Sequence, residues 1–227
     1  MKVNSIFSYF EHGLIVSCQA LPDEPLYGSE HMAVMAKAAS LGGAVGIRAN
    51  FPQDIAAIRK MVPLPIIGLY KKEFPEVEVY ITPTIETATE VSNAGADIIA
   101  IDATLRPHPF GKSAADLADE IHHNLNKPVL ADIDNLAAGL AAETAGFDAV
   151  STTMSGYTKE SPTLLGPDFE LIESLAKRLS IPVIAEGRFW SVEEVNQAFA
   201  LGAYAVVIGA AITRPMLITK RFVQGIK

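Results

Sequence analysis

Short apolar runs, each bounded by glycine, proline or polar clusters, alternate along the chain with longer stretches whose apolar positions fall at helical spacing. The runs cover 14–18, 44–47, 64–70, 98–101, 128–131, 149–151, 179–183 continuing into Ile184-Ala185-Glu186, and 204–208. Each is too short for an independent helix and reads as a buried strand. Between them the pattern predicts helices over 29–41, 51–61, 83–94, 113–125, 135–145 and 167–179, and a further one capped by Ser191 with Glu194 three residues on. In the first of these, Ser29 is the expected cap and Met32, Met35, Ala36 and Ala39 the inward stripe. Ahead of the first strand, Ile6, Phe7 and Phe10 sit at helical spacing in a leading helix over 3–12 that Gly13 stops.

A helix between nearly every pair of strands demands parallel strands, because each crossover must return the chain to the same end of the sheet. Two architectures satisfy that demand, a closed (β/α)8 barrel and an open doubly wound sheet. The open sheet often carries its glycine-rich loop after the first strand. Here the first strand ends in Ser17-Cys18-Gln19, and the glycine-ended pair, Glu186-Gly187 and Ile208-Gly209, comes last. A single (β/α)8 TIM barrel over residues 1–227 is therefore expected, with the leading helix plugging its lower mouth.

Length and composition agree with that reading. The chain has 227 residues, near the ~250 typical of one such barrel. It is 49% hydrophobic and 19% charged, enough for a large core. A net charge of −8 argues against nucleic acid or an anionic membrane as partner, so an anionic ligand has to be held by local cations. Cys18, the only cysteine, lies in an apolar run and reads as a small core residue. No metal-ligand spacing is visible, so neither metal nor other cofactor is expected. With no signal-type start and no apolar run of membrane-spanning length, a cytoplasmic protein is expected.

Barrel active sites lie at the C-terminal ends of the strands, so the polar residues that follow the apolar runs should share one mouth. They are Gln19, Arg48, Lys71, Asp102, Asp132, Thr152 and Glu186. No histidine is among them; His122 and His123 fall within a helix and read as solvated. Gly187 and Gly209, with Arg188 and Arg214 close behind, suit a phosphate, which bare backbone N–H groups can approach. A lysine and a glutamate facing a phosphorylated substrate suit proton transfer at carbon. A lyase using Lys71 as a Schiff-base nucleophile and a catalytically silent sugar-phosphate sensor are the alternatives.

Several stretches resemble the N-acetylmannosamine-6-phosphate 2-epimerase family: Gln19 after the first strand, Gly46-Ile47-Arg48-Ala49, Gly68-Leu69-Tyr70-Lys71-Lys72, Ile81-Thr82-Pro83-Thr84, Ala131-Asp132-Ile133, Ser151-Thr152-Thr153-Met154-Ser155-Gly156-Tyr157-Thr158, Ile184-Ala185-Glu186-Gly187-Arg188 and Ile212-Thr213-Arg214-Pro215. The match runs in one order from about Gly13 to Phe222. The resemblance implies a (β/α)8 fold and interconversion of N-acetylmannosamine 6-phosphate and N-acetylglucosamine 6-phosphate. It implies that Lys71 and Glu186 are catalytic and that Gln19, Arg48 and Asp132 meet the substrate, with Thr152 and Arg188 added from their strand-end positions. Arg214 then clamps the phosphate beside the backbone of Gly187 and Gly209. A phosphorylated N-acetylhexosamine is the expected partner, and the reading admits a homodimer. The chain departs from the family pattern at Asp134-Asn135, where a serine or threonine is expected.

Overall fold

The computed structural model describes residues 5–226. Eight strands, β1 (Leu14–Cys18), β2 (Gly46–Asn50), β3 (Ile66–Leu69), β4 (Ile98–Asp102), β5 (Val129–Asp132), β6 (Ala149–Ser151), β7 (Val183–Glu186) and β8 (Ala205–Ile208), form a closed barrel. Every neighbouring pair is parallel, and β8 returns to β1. Helices α1 (Ser29–Leu41), α2 (Pro52–Met61), α3 (Ile85–Asn93), α4 (Ala114–Leu125), α5 (Leu136–Thr144), α6 (Phe169–Arg178) and α7 (Val192–Ala200) fill the crossovers, and α8 (Ala210–Thr213) and α9 (Pro215–Gly225) follow β8.

Successive strand residues face opposite sides, which divides the core in two. Ile15, Ile67, Ile98, Leu130, Ala149, Ile184 and Ala205 fill the lumen, while Val16, Ile47, Ile99, Val129 and Val150 meet the apolar faces of the helices. Phe7 and Phe10, both fully buried, complete the lumen cluster from below. Gly46 makes room for them: a Cβ there would stand 2.5 Å from a ring carbon of Phe10. The expected plug is therefore present, as a 3-10 helix over Ser5–Phe10 rather than a longer α-helix. Val3 and Asn4 of the predicted helix lie outside the described residues.

Side-chain caps start the helices that frame the mouth. Thr84, Ser113 and Ser191 each close a capping box, and Asn135 accepts from the Ala138 N–H at 3.0 Å. Ser29 does not cap α1. Gly28 holds that position, and the Ser29 hydroxyl instead donates to Asp54 on α2, because the two helices pack side by side. The run predicted from Leu179 is also divided. The Leu179 N–H still bonds Leu175 to close α6, and the strand begins only after Pro182, which has no N–H to offer a ladder. Ala44 and Val45 precede β2, so Arg48 and Asn50 belong to the strand itself rather than to the following loop. His122 is not free in solvent; it sits in the last turn of α4 against Asp148 at 2.8 Å. Cys18 is buried in the core, and burial pushes its thiol up to about 12.

Candidate active site

The alternation that fills the lumen also chooses what projects from its upper end. Two residues beyond Ile15, Leu130, Ile184 and Leu69 come Ser17, Asp132, Glu186 and Lys71. Two beyond Gly46 comes Arg48. Ser17, Arg48, Lys71 and Glu186 line a cavity of about 290 Å³ at the C-terminal mouth, close to the lower end of the ~300–1,000 Å³ typical of small-molecule sites.

Arg48 organises the polar floor. Its guanidinium, only 1% exposed, spans the lumen to make two hydrogen bonds to Asp132, 3.0 and 2.5 Å long, and lies 3.3 Å from Glu186 Oε2. A buried arginine is tolerable because Asp132 offers two oxygens to its planar fork. Burial opposes the Arg48 charge, but the two carboxylates outweigh it and hold the group above its usual range. The Nε of Arg48 and Oε1 of Gln19 are buried without a partner among the described residues.

Lys71 enters from just beyond β3, where its backbone N–H donates to Asn50 Oδ1 at 2.9 Å. Burial, reinforced by the charge of Arg48, lowers its amine from 10.5 to about 8. Glu186 answers from β7 with 15% of its side chain exposed through the mouth. Burial raises its carboxyl above the ordinary range against the opposing pull of Arg48. The two perturbed groups therefore approach each other in acidity, one from above and one from below. Among the described residues, no cluster of three or more His, Cys, Asp or Glu side chains could hold a metal ion.

The rim beyond β7 and β8 is made by Gly187, Gly209 and Arg214. Gly187 has φ of +116°, a backbone conformation that a Cβ would strain. Arg214 is paired with Glu24 from the loop after β1 at 2.9 Å. Arg188 lines the cavity, yet two of its nitrogens are committed to the carbonyls of Gly166 and Ser155, both at 2.7 Å, and its guanidinium lies over the ring of Tyr157.

Eight of the ten predicted site residues line the cavity: Gln19, Arg48, Lys71, Glu186, Gly187, Arg188, Gly209 and Arg214. Asp132 lies behind Arg48, fully buried. Thr152 faces away: its hydroxyl donates to the Glu186 carbonyl and accepts from the Glu186 N–H, stapling β6 to β7. The residue that faces the cavity is Thr153, which continues the inward parity of Ala149 and Ser151; Tyr80 lines it as well. Asp102 does not reach the cavity and instead accepts from Thr104 and Arg106. Asp134 accepts from Thr158 in the loop after β6.

A closed parallel barrel with its polar groups gathered at the C-terminal mouth is the architecture of (β/α)8 enzymes. Solved structures with little sequence in common share it: a geranylgeranylglyceryl phosphate synthase from Thermoplasma volcanium superposes with a TM-score of 0.61 at 16% identity, covering 99% of this chain and 97% of that one, which shows the fold alone. Closer relatives go further. The profile of the family described as "Putative N-acetylmannosamine-6-phosphate epimerase" matches residues 32–227. A protein of Caldanaerobacter subterraneus named "Putative N-acetylmannosamine-6-phosphate 2-epimerase" is 54% identical over 98% of this chain and 94% of its own length. A Clostridium perfringens protein of the same name is 50% identical over 94% of this chain and 96% of its own. The solved N-acetylmannosamine-6-phosphate 2-epimerase of Clostridium perfringens superposes with a TM-score of 0.96 at 46% identity, covering 100% of this chain and 98% of that one. The chain belongs to the N-acetylmannosamine-6-phosphate epimerase family.

Proposed function

We propose that this protein interconverts N-acetylmannosamine 6-phosphate and N-acetylglucosamine 6-phosphate, a step of sialic acid and amino sugar breakdown, by removing and returning the proton on the acetamido-bearing carbon. One observation carries the reading. Lys71 and Glu186 stand at the ends of β3 and β7, four strands apart in a ring of eight and so opposite each other across one mouth. In the open-chain sugar that carbon is α to the aldehyde, and its proton can leave as an enolate forms. Neutral Lys71 takes the proton from one face, and protonated Glu186 supplies one to the other. The Arg48 guanidinium between them stabilises the enolate charge.

The remaining predicted residues have supporting parts. Arg214 and the backbone at Gly187 and Gly209 hold the 6-phosphate, so that binding remote from the reacting carbon orients it. Gln19, whose Oε1 has no partner among the described residues, and Arg188 contact the sugar. Asp132 acts through Arg48, and Thr152 through the backbone of Glu186. The reading treats residues 1–227 as one barrel domain. It puts the reaction in the cytoplasm, since a phosphorylated sugar does not cross a bilayer unaided. It also includes a homodimer, supported by α9, none of whose side chains is buried and on which Phe222 and Val223 are exposed.

Purified protein, treated with a chelator and given either sugar phosphate without nucleotide, should produce the other epimer, read from the anomeric protons by NMR. No interconversion from either side rejects the proposal. Light scattering tests the dimer, which a mass of one chain would exclude.

A further inference from the structure

Just beyond β6, the Thr153 hydroxyl, backed by that of Ser151, meets the two carboxylates of the site. Thr153 Oγ1 lies 2.8 Å from Asp132 Oδ1 and 3.1 Å from Glu186 Oε2, and 2.8 Å from Ser151 Oγ. A threonine hydroxyl carries one proton and two lone pairs. It can donate to Asp132 or to Glu186, not to both at once. Asp132 is also held on both oxygens by Arg48 and is fully buried. When Thr153 donates to Asp132, the lone pair it turns towards Glu186 is matched only by a protonated carboxyl. When Glu186 is ionised, the Thr153 proton swings to it, and Asp132 keeps its two bonds from Arg48.

We propose that Thr153 is a positioning residue whose hydroxyl turns between Asp132 and Glu186 as Glu186 loses and regains its proton, holding Glu186 Oε2 in one place in both states. This rests on the reading in which Glu186 transfers a proton, and it adds to that reading the group that makes both states of Glu186 equally well seated. Without it, Glu186 Oε2 keeps Arg48 but meets a methyl group where the hydroxyl stood, and the carboxylate, being charged, loses more than the acid. The other groups facing Glu186 are Arg48 from β2, Lys71 from beyond β3 and Asp132 from β5; none of them is substituted in the test, and Asp132 keeps its two hydrogen bonds from Arg48 when the Thr153 hydroxyl is removed.

The test compares Thr153→Val, which keeps the shape and removes the hydroxyl, with Thr153→Ser, which keeps the hydroxyl and removes the methyl. Circular dichroism establishes that each is folded, and Thr153→Ala replaces the valine variant if that one is not. Thr153→Val should lower kcat on the order of 10-fold, below the ~100-fold expected for losing an acid-base group outright. Its KM should change little. The limb of its kcat–pH profile that belongs to Glu186 should move to higher pH, and Thr153→Ser should recover the larger part of both effects. An unmoved limb in Thr153→Val, or equal losses in the valine and serine variants, overturns the proposal. Glu186→Gln, measured alongside, keeps the two failures apart: full turnover there rejects the role of Glu186 itself, whatever Thr153 does.

Discussion

Burial shifts Lys71 and Glu186 in opposite directions, the amine down to about 8 and the carboxyl up, because it disfavours an ammonium and a carboxylate alike. The sign of the pH dependence follows. A base role needs neutral Lys71, so turnover rises as pH passes upward through about 8. An acid role needs protonated Glu186, so turnover falls as pH passes upward through its raised value. Lys71→Ala should remove the first limb, Glu186→Ala the second, and each should cost at least ~100-fold in kcat. In deuterated water the epimerised product should carry deuterium at the acetamido-bearing carbon, while borohydride added with substrate leaves Lys71 unmodified. A reduced sugar adduct on Lys71 in the mass spectrum would hand the site to Schiff-base chemistry instead. Asp132 makes a different kind of prediction. Its removal leaves the Arg48 charge buried beside Glu186 alone, so Asp132→Ala should destabilise the fold by about 3–5 kcal/mol in urea unfolding.

Single strands and loops decide which polar residues the site can use. Glu24, in the loop after β1, accepts from the backbone N–H of Leu21 and from Arg214 on the same oxygen. In the proposed clamp, phosphate and Glu24 therefore compete for one guanidinium. Glu24→Gln should lower the KM for the sugar phosphate a few-fold, and Arg214→Ala should raise it; identical KM values for wild type and Glu24→Gln would show that no competition exists. Much of this level was readable in the chain. Alternation and turn residues located all eight strands, and the polar residues that end them mark the mouth. What could not be read depends on closure. Arg48 and Asp132 are 84 residues apart, and Arg214 and Glu24 are 190 apart; no local pattern announces either pair. Thr152 and Thr153 were separable in principle, since parity counted from Ala149 through Ser151 points the second inward. The 3-10 turn over Thr152–Met154 obscures that count, because the strand ends at Ser151, two residues short of Thr153.

The barrel as a whole is filled from both ends by different materials. Above lie the charged groups of the mouth; below, Phe7 and Phe10 pack edge to face with centroids 6.0 Å apart. Phe10→Ala would open a void under Gly46 and should cost about 3–5 kcal/mol of stability. The KM should stay unchanged, because the aromatic layer closes the end of the lumen away from the site and lines no part of its cavity. A calorimetric scan together with initial rates separates the two effects. The sealed floor also governs traffic. A lumen filled by the strand side chains and closed below by two aromatic rings offers no second doorway among the described residues, so the epimer that has just been formed must back out along the path by which its precursor came in. Neither sugar can enter while the other is leaving, and each must act as a purely competitive inhibitor of the other's conversion.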